Sequence, residues 1–334
     1  MGRITRCCYY LPYGDQQDIG AYLALMASVA WLDRHHLAQV LRKAAGLPLA
    51  LDDRDEGFSY RTALLGLAGG LGFLWWFNSR AGMRAPVTAA FLVLCFTMVM
   101  AIVRMRAQIG PPAHWMFGTM PEFVLTQFPG TRALGPRVLG MIAMMRPFMF
   151  EQNANPPPIQ LEGLRIAERR RVSARHLAWA IMVAVPLIML SYFWASVHIG
   201  YRFGITAKSP ADLLAISSDA ATRMATWLND PSGPNWSGTI SIGIGAAITL
   251  ALMSLKLRLP MFPLHPMAFP LAFSWSIDAL LPAIFITWLV KALLLRYGGL
   301  RAHQQALPFF LGLIVGDAVV GLVGIVLLHA LLGR

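Results

Sequence analysis

The 334-residue chain is 57% hydrophobic and only 13% charged, against roughly 25% charged residues in an ordinary soluble domain. That excludes a typical soluble enzyme and points to a single membrane domain over 1–334. The net charge of +12 fits basic loops facing anionic lipid, so the bilayer is the expected partner and nucleic acid is not. Three cysteines, Cys7, Cys8 and Cys95, make neither a disulfide framework nor a zinc spacing, and no metal site is expected.

Apolar runs of about 20 residues read as membrane spans. Tyr9 to Gln17 is too polar for the apolar core of a signal peptide, and Cys7-Cys8 reads as two idle thiols, with acylation as the alternative. The first span covers Ile19–Leu32. Its helix is expected to continue as the amphipathic stretch Asp33–Lys43, lying in the interface. His35 and His36 are adjacent, hence on different helix faces, and are poor joint metal ligands. Ser59 is the expected N-cap of span two, Tyr60–Phe77. There Gly66 and Gly70 stand four apart, a spacing that permits close helix approach.

Span three, Pro86–Val103, runs into Arg104-Met-Arg-Ala-Gln-Ile-Gly-Pro-Pro112, where Gly110, Pro111 and Pro112 are expected to stop the helix. Arg104 and Arg106 are either a snorkelling pair or are presented to a polar cavity, where a guanidinium binds an anionic group. Residues 109–175 form a long loop with interfacial or re-entrant helices. Its apolar pieces Pro121–Phe128 and Ala133–Phe150 are interrupted by Glu122, Arg137 and Arg146 and are too short or too charged to span comfortably. Asn153–Pro158 reads as an extended break, and Ile159–Leu177 as a charged surface helix.

Span four, His176–His198, holds Pro186 as a kink. Ser209-Pro210 is a good helix start, and that helix should end near Asn229. Span five, Ser237–Leu255, carries a small-residue face of Gly243, Gly245, Ala246 and Ala247. The proline-rich element 259–278 reads as re-entrant, broken at Pro266 and lined by His265. Irregular backbone at membrane depth needs protein or a water-filled cavity around it. Span six, Leu280–Leu295, holds Lys291. A turn at Gly298-Gly299 leads to span seven, Ala306–Leu332, with Asp317. An ionisable residue in a span marks a functional site by default: Asp317 is the expected proton or cation site and Lys291 its partner. Most Lys and Arg outside the spans fall at 33–58, 104–176 and 255–277, which places those segments in the cytoplasm and the N-terminus outside.

No paired catalytic carboxylates, His-Glu-x-x-His or Gly-x-Ser-x-Gly appear, so no catalytic residue and no enzyme activity is expected. No cofactor is indicated.

Three segments carry a resemblance: Pro263-Leu-His-Pro-Met-Ala-Phe269 with Ser274-Trp-Ser276, Lys291-Ala-Leu-Leu-Leu-Arg-Tyr-Gly-Gly-Leu-Arg301, and Ala306-Leu-Pro-Phe-Phe-Leu-Gly-Leu313. With them go Tyr60-Arg-Thr-Ala63, the Arg104 to Pro112 segment and Gly130-Thr-Arg132. Together they resemble an uncharacterised family of large bacterial multispanning membrane proteins, distantly similar to oligopeptide transporters. The apolar runs read as an all-α polytopic protein with about seven transmembrane helices plus re-entrant or interfacial helices, and the resemblance implies the bacterial inner membrane. The family lends no activity of its own; the broken helices, Asp317 and Lys291, together with the transporter-like resemblance, point to a secondary transporter of unknown substrate, matching the C-terminal half of longer members. The expected partners are a homologous half or other membrane subunits, and the alternative is a non-transporting structural or accessory subunit. Gln108 stands where that family tends to carry an acid, which puts ion coupling at that position in doubt.

Overall fold

The computed structural model describes residues 12–48, 51–53, 56–111, 119–150, 156–204, 211–259 and 261–332. Cys7, Cys8, Pro112, Ser209 and Pro210 lie outside them. No strand occurs among the described residues. Among the described residues, four helical runs are long and apolar enough to cross a membrane: Ala85–Ile109, Ala174–Arg202, Trp236–Arg258 and Leu280–Gly321. They are the helices of a membrane protein. The chain divides into two compact units, Met1–Asp278 and Ala279–Arg334.

The first unit opens with α1 (Gly14–Leu32) and α2 (Arg34–Ala44). The expected continuous helix is broken between them, because Asp33 leaves helical geometry at φ −91°, ψ 8°. Helix α3 (Tyr60–Arg80) starts as its sequence predicts, with the Ser59 hydroxyl accepting from the Thr62 N–H at 3.2 Å. Helix α4 (Ala85–Ile109) stops where Gly110 turns to φ +72° and donates its N–H to the Arg106 carbonyl at 2.9 Å. Only glycine adopts that left-handed conformation without steric cost.

Three short helices follow, α5 (Pro121–Gln127), α6 (Thr131–Leu134) and α7 (Pro136–Phe150). Helix α8 (Pro156–Arg169) begins on the triple proline, which corrects the extended break expected there. The first-turn N–H groups of a helix have no intrahelical acceptor, so prolines lose nothing at those positions. Then come α9 (Ala174–Phe203), α10 (Ala211–Asn229), α11 (Trp236–Arg258) and the one-turn α12 (Ala268–Ala272).

Helix α1 packs along α11 more extensively than any other pair in the unit. A Cβ on Gly20 would stand 1.9 Å from the Ile242 carbonyl oxygen, and one on Gly245 1.9 Å from that of Gln17. Backbone therefore meets backbone, and only glycine fits. The glycines of α3 behave differently from expectation: Gly66, Gly69, Gly70 and Gly72 have open space where a Cβ would go, so the small-residue spacing on α3 serves no close packing among the described residues. A second close approach joins α6 to the turn before α11. Gly130, at φ +76°, would bring a Cβ within 2.6 Å of Gly233, and the Ser232 N–H donates to the Thr131 hydroxyl at 2.9 Å.

The second unit holds most of α13 (Trp275–Leu293), a π-helical turn at Leu294–Gly298, and α14 (Gly299–Leu332). At the expected turn the pitch widens and Gly299 takes φ +65°.

Candidate functional site

The short helices α5 and α7 bring charge into the first unit's interior. Glu122 sits in the first turn of α5 and Arg146 near the end of α7, each with a side chain only 1% exposed. The Arg146 Nη1 donates to Glu122 Oε1, and also lies 3.4 Å from the Met120 sulfur. Its Nε donates to Asp219 Oδ2 on α10 at 2.6 Å. Arg223, one turn further along α10, donates through Nε to the same oxygen at 3.2 Å. Both guanidinium groups lie over the Phe123 ring, at 5.8 Å and 5.1 Å from its centroid.

The result is a row of alternating charge, Glu122, Arg146, Asp219, Arg223. It runs from a sealed interior to side chains 40% and 32% exposed. Arg146 Nη2 is buried without a hydrogen-bond partner among the described residues. Glu122 lies outside the four apolar helices. Burial pushes its carboxyl above the usual carboxylate range, and the Arg146 charge opposes that rise.

A second polar group lies next to this row along the chain. Asp18 and Tyr22, one turn apart on α1, are buried, and the Tyr22 hydroxyl interacts with both Asp18 and Thr119. Asp18 Oδ1 has no hydrogen-bond partner among the described residues. Thr119 precedes Met120, whose side chain packs with Ile19, Tyr22, Met98, Met105 and Met267. The proline-rich element thus reaches the site through Met267, beside the buried Pro266.

The residues singled out by sequence lie elsewhere. His265 is exposed, and its Nδ1 accepts the Met267 N–H at 3.3 Å, a local cap. Arg104 donates to the Gln108 side-chain oxygen at 2.9 and 3.0 Å once that amide is turned to face it. Arg106 is held by Glu162 of α8, at 2.6 Å through Nε and 3.3 Å through Nη2. Gly110 ends α4, and Pro111 is buried behind it. Lys291 and Asp317 lie exposed on α13 and α14, with no ion pair between them among the described residues. No group of three or more His, Cys, Asp or Glu side chains gathers as a metal site among the described residues.

The Arg106–Glu162 pair is 21% and 49% exposed, and such pairs contribute about 1 kcal/mol or less. Glu162→Gln is therefore expected to move the melting temperature by only a few degrees, with the loss shrinking at high salt. A salt-independent loss would mean that the pair is desolvated.

Sequence reasoning passed over Glu122 and Arg146, treating them as interruptions of apolar pieces. Each is a charge inside an apolar segment, the signal that marked Asp317 and Lys291. Asp219 and Arg223 add the i, i+4 spacing of a helical ion pair.

Fold and site together define a helical membrane protein with a partly buried, charge-alternating row on short helices. Residues 4–333 match a family of unknown function, DUF6785, and the chain belongs to that family. No protein of curated function and no solved structure matches it.

Proposed function

We propose that the protein is a secondary transporter of the bacterial inner membrane in which the row Glu122–Arg146–Asp219–Arg223 carries the coupling proton or ion. The observation behind this reading is Arg146, buried between two carboxylates of unequal exposure, with its Nη2 unpartnered among the described residues. Burying an ion pair costs several kcal/mol in desolvation, so such a pair is a poor way to stabilise a fold. In membrane proteins buried ionisable groups mark ion and substrate pathways, and transporters place them at broken helices. Seven crossings complete the proposal. Helices α1 and α3 join the four apolar helices, and the 42-residue run Leu280–Gly321, twice the ~20 residues one crossing needs, divides at Gly299.

The test is a pH jump on proteoliposomes of the full chain, read as transient charge displacement on a solid-supported membrane, which needs no substrate. Wild type should give a signal that Asp219→Asn and Glu122→Gln each lower at least tenfold. Equal signals from wild type and both variants would sink the assignment, and loss in Asp317→Asn alone would move it to the second unit.

One observation favours a second reading. No residue in the apolar window of Ala174–Arg202 is buried, leaving a span-length helix for partner helices of a larger complex to cover. Native mass spectrometry of the protein extracted from its own membrane decides this. A defined heteromeric assembly supports an accessory subunit, and a self-associated species supports the transporter.

A further inference from the structure

Helix α8 touches the ends of two membrane-length helices. Its Glu162 holds Arg106, in the last turn of α4, at 2.6 Å. A Cβ on its Gly163 would lie 3.9 Å from Leu177 Cδ2, in the first turn of α9. Helices α4 and α9 are both long and apolar enough to cross a membrane. The end of α4, the start of α9 and α8 therefore share one face of the membrane, at the depth of the lipid headgroups. Between α4 and α8 lies an open groove of about 530 Å³, with Arg106, Leu161, Glu162, Arg165, Ile166 and Arg169 among the residues lining it. Three arginines thus face a single carboxylate. Arg165 and Arg169 stand four apart, on one face of α8. Arg165 pairs with Glu168, but at side-chain exposures of 62% and 68% such a pair is weak and gives way to a better partner. Arg169 makes no ion pair among the described residues. Both guanidinium groups are open to an incoming anion, and their planar forks match the oxygens of a phosphate.

We infer that this groove binds an anionic phospholipid, with its phosphate at Arg165 and Arg169 and its chains against Leu161 and Ile166. The inference rests on the membrane class and is independent of the charge row. Leu161 and Ile166, 42% and 62% exposed, give the groove an apolar flank that a soluble phosphate would leave in water. A zwitterionic headgroup would bring a further positive charge to a groove that already holds three arginines against one carboxylate, a like-charge contact that an anionic headgroup lacks. The surroundings attract the same lipids, because residues 165–175 hold five arginines and one glutamate.

The experiment is native mass spectrometry of the full chain in detergent micelles, titrated with one lipid at a time. Phosphatidylglycerol should bind at a concentration on the order of tenfold lower than phosphatidylcholine with the same chains. The double variant Arg165→Gln with Arg169→Gln should lose that preference. Arg170→Gln with Arg171→Gln removes the same charge from exposed positions outside the groove and should leave the preference within about twofold of wild type. Glycerol 3-phosphate, which offers the phosphate without the chains, should not displace the bound lipid even in about tenfold excess. Displacement would overturn the lipid as occupant. Equal binding of the two lipids by wild type would overturn the anionic site. A preference that survives Arg165→Gln with Arg169→Gln, or that both double variants lose equally, would overturn the groove as its location.

Discussion

Replacing Arg146 by methionine is expected to destabilise the protein by about 3–5 kcal/mol, because it leaves Glu122 buried without its counter-charge. The apparent melting temperature should fall on the order of 10 °C. The double variant Glu122→Leu with Arg146→Met should recover most of that loss, since well-packed apolar residues often replace a buried ion pair at little cost. Asp219 tolerates the change better, being 40% exposed and still paired with Arg223.

The defect should depend on pH. Glu122 already has a carboxyl raised by burial, with Arg146 holding it down, so removing the arginine raises it further. The folded state then keeps a proton that the unfolded chain releases. Stability attributable to Glu122 is present below the unfolded carboxylate range and is lost as pH rises through the raised folded value. Arg146→Met should accordingly lie closer to wild type at pH 5 than at pH 8 in a melting assay. A defect of equal size at both values would mean that Glu122 is neutral throughout or is reached by water.

The second large effect separates two glycines on one helix. Gly245→Ala places a methyl group 1.9 Å from the Gln17 carbonyl oxygen and 2.6 Å from its Cα. Those are backbone atoms, so no rotamer change relieves the contact and α1 must move off α11. Overpacking of this kind costs about 3 kcal/mol or more. Gly243→Ala meets nothing within 4 Å and removes a flexible residue from a helix interior, which stabilises by roughly 0.5–1 kcal/mol. Thermal melts in mild detergent should therefore shift in opposite directions. Shifts of the same sign and size would show that α1 and α11 are not in backbone contact. Because α1 carries Asp18 and Tyr22, Gly245→Ala should also disturb the polar group at Thr119.

What the sequence by itself determined is the local physics. Apolar runs gave the helices, Ser59 gave a start, Gly110 gave a stop, and a low charged fraction gave the membrane class, because each depends on residues close together in the chain. The triple proline at Pro156 was open to misreading, since proline opens a helix as readily as it breaks one. The contacts of the charge row are of another kind. Glu122 meets Arg146 across 24 positions and Asp219 meets Arg146 across 73. Nothing local distinguishes these charges from Lys291 or Asp317, which remain exposed. Likewise, the glycines of α3 and those at Gly20 and Gly245 look alike as small-residue patterns, yet only the latter touch another helix backbone. Tertiary structure made that choice, because burial and counter-charge belong to which helices meet, and a short-range pattern does not encode the partner.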